Sequence, residues 1–270
     1  SGYDAASAFT LGSNIVNNST ATQTINLALT SSADRVFNAA SGNLVLGGPL
    51  AGVGGLTKNG SNKLTLSGNN TYNGDTTINA GTLEIATTGL LGGGNYTGNI
   101  VNNGRLVYGS SGTQILGGII SGNGALTHNG SGLLTLSGNN TFSGGTTITA
   151  GTVRIGSNSS LGTGAVVFNN PSIATIDSAS GTTYTISNNI TLTNGLSVAV
   201  AYATGDLIFN GVISGAGSLY VNQTSGTITL NGLNTFTGDI YPTRAPTISF
   251  NSIANAGVAS ALGAGSTIYG

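Results

Sequence analysis

Leu64-Thr65-Leu66-Ser67-Gly68-Asn69-Asn70-Thr71-Tyr72-Asn73-Gly74 decides how this chain is read, because the chain writes it more than once. The stretch runs on through Thr76-Thr77-Ile78 to Ala80-Gly81-Thr82-Leu83-Glu84-Ile85. It returns as Leu134-Thr135-Leu136-Ser137-Gly138-Asn139-Asn140-Thr141-Phe142-Ser143-Gly144, closing on Ala150-Gly151-Thr152-Val153-Arg154-Ile155. A worn third copy reads Ile228-Thr229-Leu230-Asn231-Gly232-Leu233-Asn234-Thr235-Phe236-Thr237-Gly238. Leu64, Leu66, Leu83 and Ile85 alternate with Thr65 and Glu84, the period of a strand that buries one face. Gly68, Gly74, Gly138, Gly144 and their third-copy counterparts Gly232 and Gly238 are expected at strand corners, where positive φ costs glycine least. Asn69-Asn70, with Asn140 and Asn234 as equivalents, suits the same corners, since Asn tolerates the left-handed region and bonds to nearby backbone. Tyr72, Phe142 and Phe236 share one position and are expected to plug those corners.

Working outward, the copies extend over about 41–85, 111–155 and 205–250. The first two are displaced by 70 (Phe142 minus Tyr72), the second and third by 94 (Phe236 minus Phe142). A shorter echo sets the unit: Thr82-Leu83-Glu84-Ile85 reappears in pattern as Arg105-Leu106-Val107-Tyr108, displaced by 23 (Arg105 minus Thr82). The displacement of 70 then reads as three such turns and that of 94 as four. A unit of about 23 residues lies within the repeat range of solenoids, whose units bury their apolar faces only by stacking. The expected fold is all-β, a parallel β-helix over residues 1–270, with roughly twelve coils of about 23 residues. At about 4.8 Å per coil it would be a rod on the order of 55–60 Å long.

Elsewhere the chain reads as short strands at Ala8–Leu11, Thr24–Leu29 and Asn43–Leu46, with Ile25, Leu27 and Leu29 on one face of the second. Glycine, 46 residues of the chain, disfavours helices by about 1 kcal/mol per interior position. One or two helical turns are expected only at 252–262.

Composition narrows the class. Six Lys and Arg against seven Asp and Glu leave a net charge of -1, with 38% hydrophobic residues. Disordered chains combine low hydrophobicity with high net charge, so a folded strand-rich object is expected. A near-neutral chain offers no field for a phosphate backbone, so no nucleic-acid partner is expected. There is no Cys, which fits a surface protein that needs no disulfide. No charged and apolar leader opens the chain, so Ser1 reads as the start of a mature protein or an excised fragment. No apolar run reaches the ~18 residues of a transmembrane helix.

The repeat pattern resembles the passenger-associated repeat of bacterial autotransporters and related giant surface proteins. Ser160-Leu161-Gly162-Thr163-Gly164-Ala165-Val166 and Ser260-Ala261-Leu262-Gly263-Ala264-Gly265 resemble segments of the same family. The resemblance implies a right-handed β-helix exported across the outer membrane, usually by a C-terminal barrel, and no such barrel is read in these residues. It also implies an extracellular or cell-surface location. The third copy departs after Gly238, where Asp239-Ile240-Tyr241-Pro242 replaces the Thr-x-Ile segment and Ala245-Pro246 stands for Gly-Thr. That departure speaks against a regular strand there. The motif is a folding unit and transfers no catalytic residues.

The search for chemistry returns no catalytic, cofactor or metal site. The carboxylates Asp4, Asp34, Asp75, Glu84, Asp177, Asp206 and Asp239 are dispersed, whereas paired-carboxylate hydrolysis needs two within about 5–10 Å. Asp75 and Glu84 could meet across a corner, but the next copy has Gly145 and Arg154 there. His128, the single histidine, stands where the first copy has Lys58 and reads as an exposed loop residue without a nucleophile beside it. Gly54-Gly55 and Gly92-Gly93-Gly94 lack the Lys-Ser/Thr of a phosphate cradle. Asn-x-Ser/Thr triplets such as Asn17-Asn18-Ser19 are expected by chance at this composition.

The expected function is a non-catalytic structural rod of a bacterial surface or secreted fibre. Its expected partners are further copies of itself stacked end to end, or adjoining repeats of a longer chain. An adhesin binding cell-surface glycans or proteins is the alternative, with a β-helix polysaccharide lyase or hydrolase behind it. An ice- or crystal-binding rod is suggested by the outward Thr65, Thr135 and Thr229, but these would recur every third or fourth coil, without forming an array. The end segments Ser1-Gly2-Tyr3 and Ser266-Thr267-Ile268-Tyr269-Gly270 do not look like caps, and no charged residue follows Arg244, which suits axial stacking.

Overall fold

A computed structural model describes residues 8–169, 174–178, 181–193, 199–200, 205–222, 226–243, 247–253, 257–265 and 267–268. Short strands of two to six residues stack in parallel, each pairing with strands about one turn before and after it in sequence. The chain cycles through three faces. Face III is one ladder of ten strands, from Gln23–Ile25 to Ile213–Gly215. Face I opens with three strands ending at Leu50–Gly52 and resumes with eight, from Asn95–Tyr96 to Ile240–Thr243. Face II opens with six ending at Ile120–Ser121 and resumes with four, from Tyr184–Ile186 to Thr247–Phe250.

The interruptions on faces I and II are spanned by non-strand rungs. On face I, the Thr71 N–H donates to the Leu50 carbonyl at 2.9 Å and the Gly93 N–H to Asn70 at 2.9 Å. On face II, the Thr141 N–H donates to Ile120 at 2.8 Å and the Thr163 N–H to Phe142 at 2.9 Å. The result is the parallel β-solenoid that the repeats predicted. About ten turns carry strand on face III, against roughly twelve expected. Beyond them stack two rungs without strand geometry, through Thr235 N–H to Ile213 (2.9 Å) and Ala264 N–H to Phe236 (3.0 Å).

Turn length varies: Leu83 stacks on Leu64, a step of 19, whereas Ile100 stacks on Thr76, a step of 24. That variation corrects the phase of the repeats. Leu64 stacks through Leu83 and Leu106 to Leu126, so three turns advance the numbering by 62 (Leu126 minus Leu64). The remaining eight of the 70 carry the second copy one face onward. Lys63–Leu66 lies on face III, Leu133–Leu136 on face I and Thr227–Leu230 on face II. The spacing is therefore three turns and a third, because turns of this solenoid fall short of the unit read from sequence wherever a corner is tight.

The core is a column of aliphatic rows. Leu44, Leu64, Leu83, Leu106 and Leu126 follow one another up face III, and all are buried. Each such side chain contributes about 1.5–3 kcal/mol on leaving water. Two local expectations fail. Residues 24–29 do not form one strand: Gln23–Ile25 and Leu29–Ser31 lie on adjacent faces, and Leu27 at the corner between them is half exposed. The helical turn expected at 252–262 falls partly on 254–256, outside the described residues; among the described residues the one helical turn is 3₁₀, at Gly92–Gly94. Ile240–Thr243 and Thr247–Phe250 are strands despite the altered third copy, since their pairing to Leu219–Asn222 and Thr227–Leu230 outweighs local sequence. Pro242, which has no N–H to give to a ladder, belongs to the terminal strand of face I. Asp4, Arg244, Ala245-Pro246 and the outermost end residues fall outside the described residues.

Candidate functional site

Each repeat copy inserts the same buried rung. The Asn70 Oδ1 accepts the Leu50 N–H from the turn below at 2.9 Å. Its Nδ2 donates to Gly68 in its own turn at 2.7 Å and to Leu90 above at 2.9 Å. Asn140 repeats this between Ile120 (2.8 Å) and Ser160 (2.7 Å), and Asn234 between Ile213 (2.7 Å) and Ala261 (2.7 Å). Asn is present because a non-strand rung cannot satisfy its neighbours' backbone groups by itself, and a primary amide both donates and accepts. The left-handed conformation expected there does not occur: among the described residues Thr87 is the one non-glycine with positive φ.

The glycines are also explained differently. Gly68 and Gly74 do not have positive φ; a Cβ there would lie 2.6 Å from the Gly48 carbonyl carbon and 2.5 Å from the Gly55 nitrogen. Contact with the turn below excludes a side chain, and Gly138, Gly144, Gly232 and Gly238 meet backbone of the preceding turn in the same way. Leu64, Leu66, Leu134, Leu136, Leu230, Tyr72, Phe142 and Phe236 are all buried. The Tyr72 hydroxyl shares a 2.8 Å hydrogen bond with Thr76, which in turn meets the Tyr96 hydroxyl at 2.7 Å. Burial in this cluster raises Tyr96 to about 12 and Tyr72 well above its ordinary value.

His128 is not an exposed loop residue. It ends the strand Ala125–His128 with its ring fully buried and stacked on Tyr108 at 5.4 Å. Nδ1 lies 3.1 Å from the Tyr108 carbonyl and Nε2 3.1 Å from the Gly132 carbonyl. A neutral imidazole can donate to one of them. Burial lowers its pKa below 6.5, and the two backbone bonds oppose that shift. Lys58, its counterpart, is equally buried and donates to Asn59 (2.9 Å), Gly60 (2.7 Å) and Ala80 (3.1 Å), with desolvation lowering it to about 8. Both side chains satisfy the carbonyls of a tight turn. Alternation alone places them inward, so the signal was present in the strand pattern.

The carboxylates serve neighbouring turns. Asp34 accepts the Gly55 N–H (2.7 Å), Asp75 that of Asn99 (2.8 Å), Asp206 that of Thr227 (2.7 Å) and Asp239 that of Thr267 (3.0 Å). Glu84 pairs with Lys63 at 2.6 Å and Arg154 with Asp177 at 2.5 Å. The suggested meeting of Asp75 with Glu84 therefore does not occur. Glu84 and Arg154, equivalent in the repeat, stand on different faces. So do Thr65, Thr135 and Thr229, one on each face. Among the described residues no group of His, Cys, Asp and Glu is arranged to hold a metal ion. The interior void beside Tyr108 and Gln114 is about 10 Å³, room for no more than about one water.

This arrangement defines a class: a repeat-built parallel β-solenoid whose polar and ionic side chains clip one turn to the next. The sequence profile of the Passenger-associated-transport-repeat family matches residues 56–85 and 126–155, the first two copies. The chain is also 39% identical over 95 residues to the adhesin BmaC autotransporter of Brucella suis biovar 1 (strain 1330), a match covering 35% of this chain and 3% of that protein. No solved structure matches. The chain is a β-solenoid that carries these repeats and is similar to autotransporter passengers, and it is a bacterial cell-surface or extracellular protein. No helix among the described residues is long and apolar enough to cross a membrane.

Proposed function

We propose that this chain is a non-catalytic rod segment of a surface adhesin, one elongated solenoid over residues 1–270. It extends a longer passenger or stacks end to end with further copies, and holds adhesive surfaces away from the cell. One observation carries the reading: all six described carboxylates are engaged by backbone N–H groups or basic side chains of neighbouring turns. A hydrolytic pair needs one carboxyl group free to exchange a proton and a second near it. The similarity to an adhesin supports the surface role, while its partners here are open to direct measurement. Negative-stain images of the purified chain should show rods or axial filaments, and the rods should bind cells or surface glycoconjugates. Compact monomers at high concentration would rule out the filament. Glycan turnover abolished by an Asp or Glu substitution would overturn the non-catalytic reading.

A further inference from the structure

The outer surface of face I carries a pair of stacked tyrosines that the core does not use. Tyr220, in the strand Leu219–Asn222, stands between the buried Leu219 and Val221 and so points outward. Parallel register sets it beside Tyr241 of Ile240–Thr243, one turn on. The two rings stack at 4.5 Å with an interplanar angle of 15°, and both residues are partly exposed. The Tyr241 hydroxyl donates to Asp239 Oδ2 at 3.2 Å. Tyr72 and Tyr96 make the contrast: their rings are buried and meet edge-on at 5.6 Å and 63°. Their hydroxyls end on Thr76 and on the Gly74 carbonyl, neither of which takes up a proton. The chain has no Cys, Met or Trp, so tyrosine is the side chain that a one-electron oxidant attacks most readily.

We propose that Tyr220 and Tyr241 form an oxidative cross-linking site, coupled to dityrosine by hydrogen peroxide and a peroxidase outside the cell. Each phenol loses one electron and one proton, giving two neutral phenoxyl radicals. The radicals join through a carbon ortho to each hydroxyl, forming one C–C bond. The hydrogens on those two carbons then shift to oxygen as aromaticity returns. Two electrons and two protons leave in all, and they reduce one hydrogen peroxide to two waters. Ladder register holds the rings side by side, so a radical on one meets the other without diffusion. Coupling asks one ring to tilt from the stack, a movement open to an outward side chain. The Asp239 carboxylate can accept the Tyr241 proton as the electron leaves, which avoids a positively charged radical. Partial exposure lets the oxidant reach both rings, whereas Tyr72 and Tyr96 are shielded. The bond ties residues 21 apart in sequence (Tyr241 minus Tyr220) across adjacent turns and, as a disulfide does, constrains the unfolded chain. It gives a covalent clip to a chain without cysteine. The proposal goes beyond the adhesin reading, since it holds whatever the surface binds.

The test treats the purified full chain with a haem peroxidase and hydrogen peroxide at neutral pH. Dityrosine fluorescence should appear in the monomer, and mass spectrometry of proteolytic fragments should find Tyr220 joined to Tyr241. Tyr220→Phe and Tyr241→Phe keep the stack but remove a phenol, and each should abolish this product. Both variants, unoxidised, should unfold at the urea midpoint of the untreated wild type, and the oxidised wild type should unfold at higher urea. Asp239→Asn should slow the coupling at neutral pH relative to a free tyrosine amide. That rate should recover towards about pH 10, where phenols ionise unaided. Coupling that joins other tyrosines equally, or only separate chains, overturns the proposal, as does a folded chain that yields no dityrosine. An Asp239→Asn rate equal to wild type at every pH overturns the role given to the carboxylate. Rods that bind cells but never cross-link would leave the adhesin reading standing while removing this one.

Discussion

The first and second repeat copies differ where a side chain must meet an adjacent turn, and the differences separate what the repeat requires from what it tolerates. Asn70 and Asn140 make equivalent bonds on different faces, so the amide is required. Lys58 and His128 both satisfy turn carbonyls, one as an ammonium and the other as an imidazole. Tyr72 bonds to Thr76, whereas Phe142 leaves the Thr146 hydroxyl to donate to Leu161 at 3.0 Å. Glu84 pairs downward with Lys63, and Arg154 pairs upward with Asp177. The backbone bonding need is constant, and the chemistry that meets it is exchangeable.

Breaking these pairs should give graded effects. Arg154→Met is expected to cost most, about 3 kcal/mol or more, because it strands Asp177, only 3% exposed, without its cation. Urea denaturation measures it, and a cost below about 1 kcal/mol would show that water reaches Asp177. Asn70→Ala and Asn140→Ala should each cost about 2–3 kcal/mol by leaving a buried Leu50 or Ile120 N–H unpaired. Equal losses would sharpen the comparison; a neutral result in either copy would break it.

The His128 effect depends on pH. Its folded pKa lies below its unfolded value of 6.5, so the folded state holds its full stability above that value and loses it as pH falls through the folded pKa. The urea midpoint should therefore drop as pH falls below about 6.5, and His128→Gln should flatten that part of the profile. Tyr72→Phe makes the first copy resemble the second and should cost only about 0.5–1 kcal/mol, since Thr76 keeps the Tyr96 hydroxyl. Glu84→Gln should change least, within about 1 kcal/mol, because Lys63 is 43% exposed and water replaces its partner.

Much of this was legible in the residues. Leu64, Leu66, Leu83 and Ile85 announce inward positions by alternation, and stacking follows from their repetition. The importance of Asn70 is visible as recurrence, but its role is not, because its partners Leu50 and Leu90 lie in the turns below and above it. Gly68 reads from sequence as a backbone-conformation requirement when contact with the Gly48 backbone is the cause, and only coordinates distinguish those explanations. His128 is misread when a lone polar residue is judged by type, while its strand position already turns it inward.

By itself the sequence determined a strand-rich parallel stack, its inward rows and the recurrence of one rung, since these follow from period-two alternation and local repetition. Tertiary structure alone decided which face each copy occupies and which charges meet. The physical reason is accumulation. The step from one turn to the next changes with its corners, 19 from Leu64 to Leu83 but 24 from Thr76 to Ile100. The phase at which a motif returns therefore depends on how three successive corners pack against the turns beneath them.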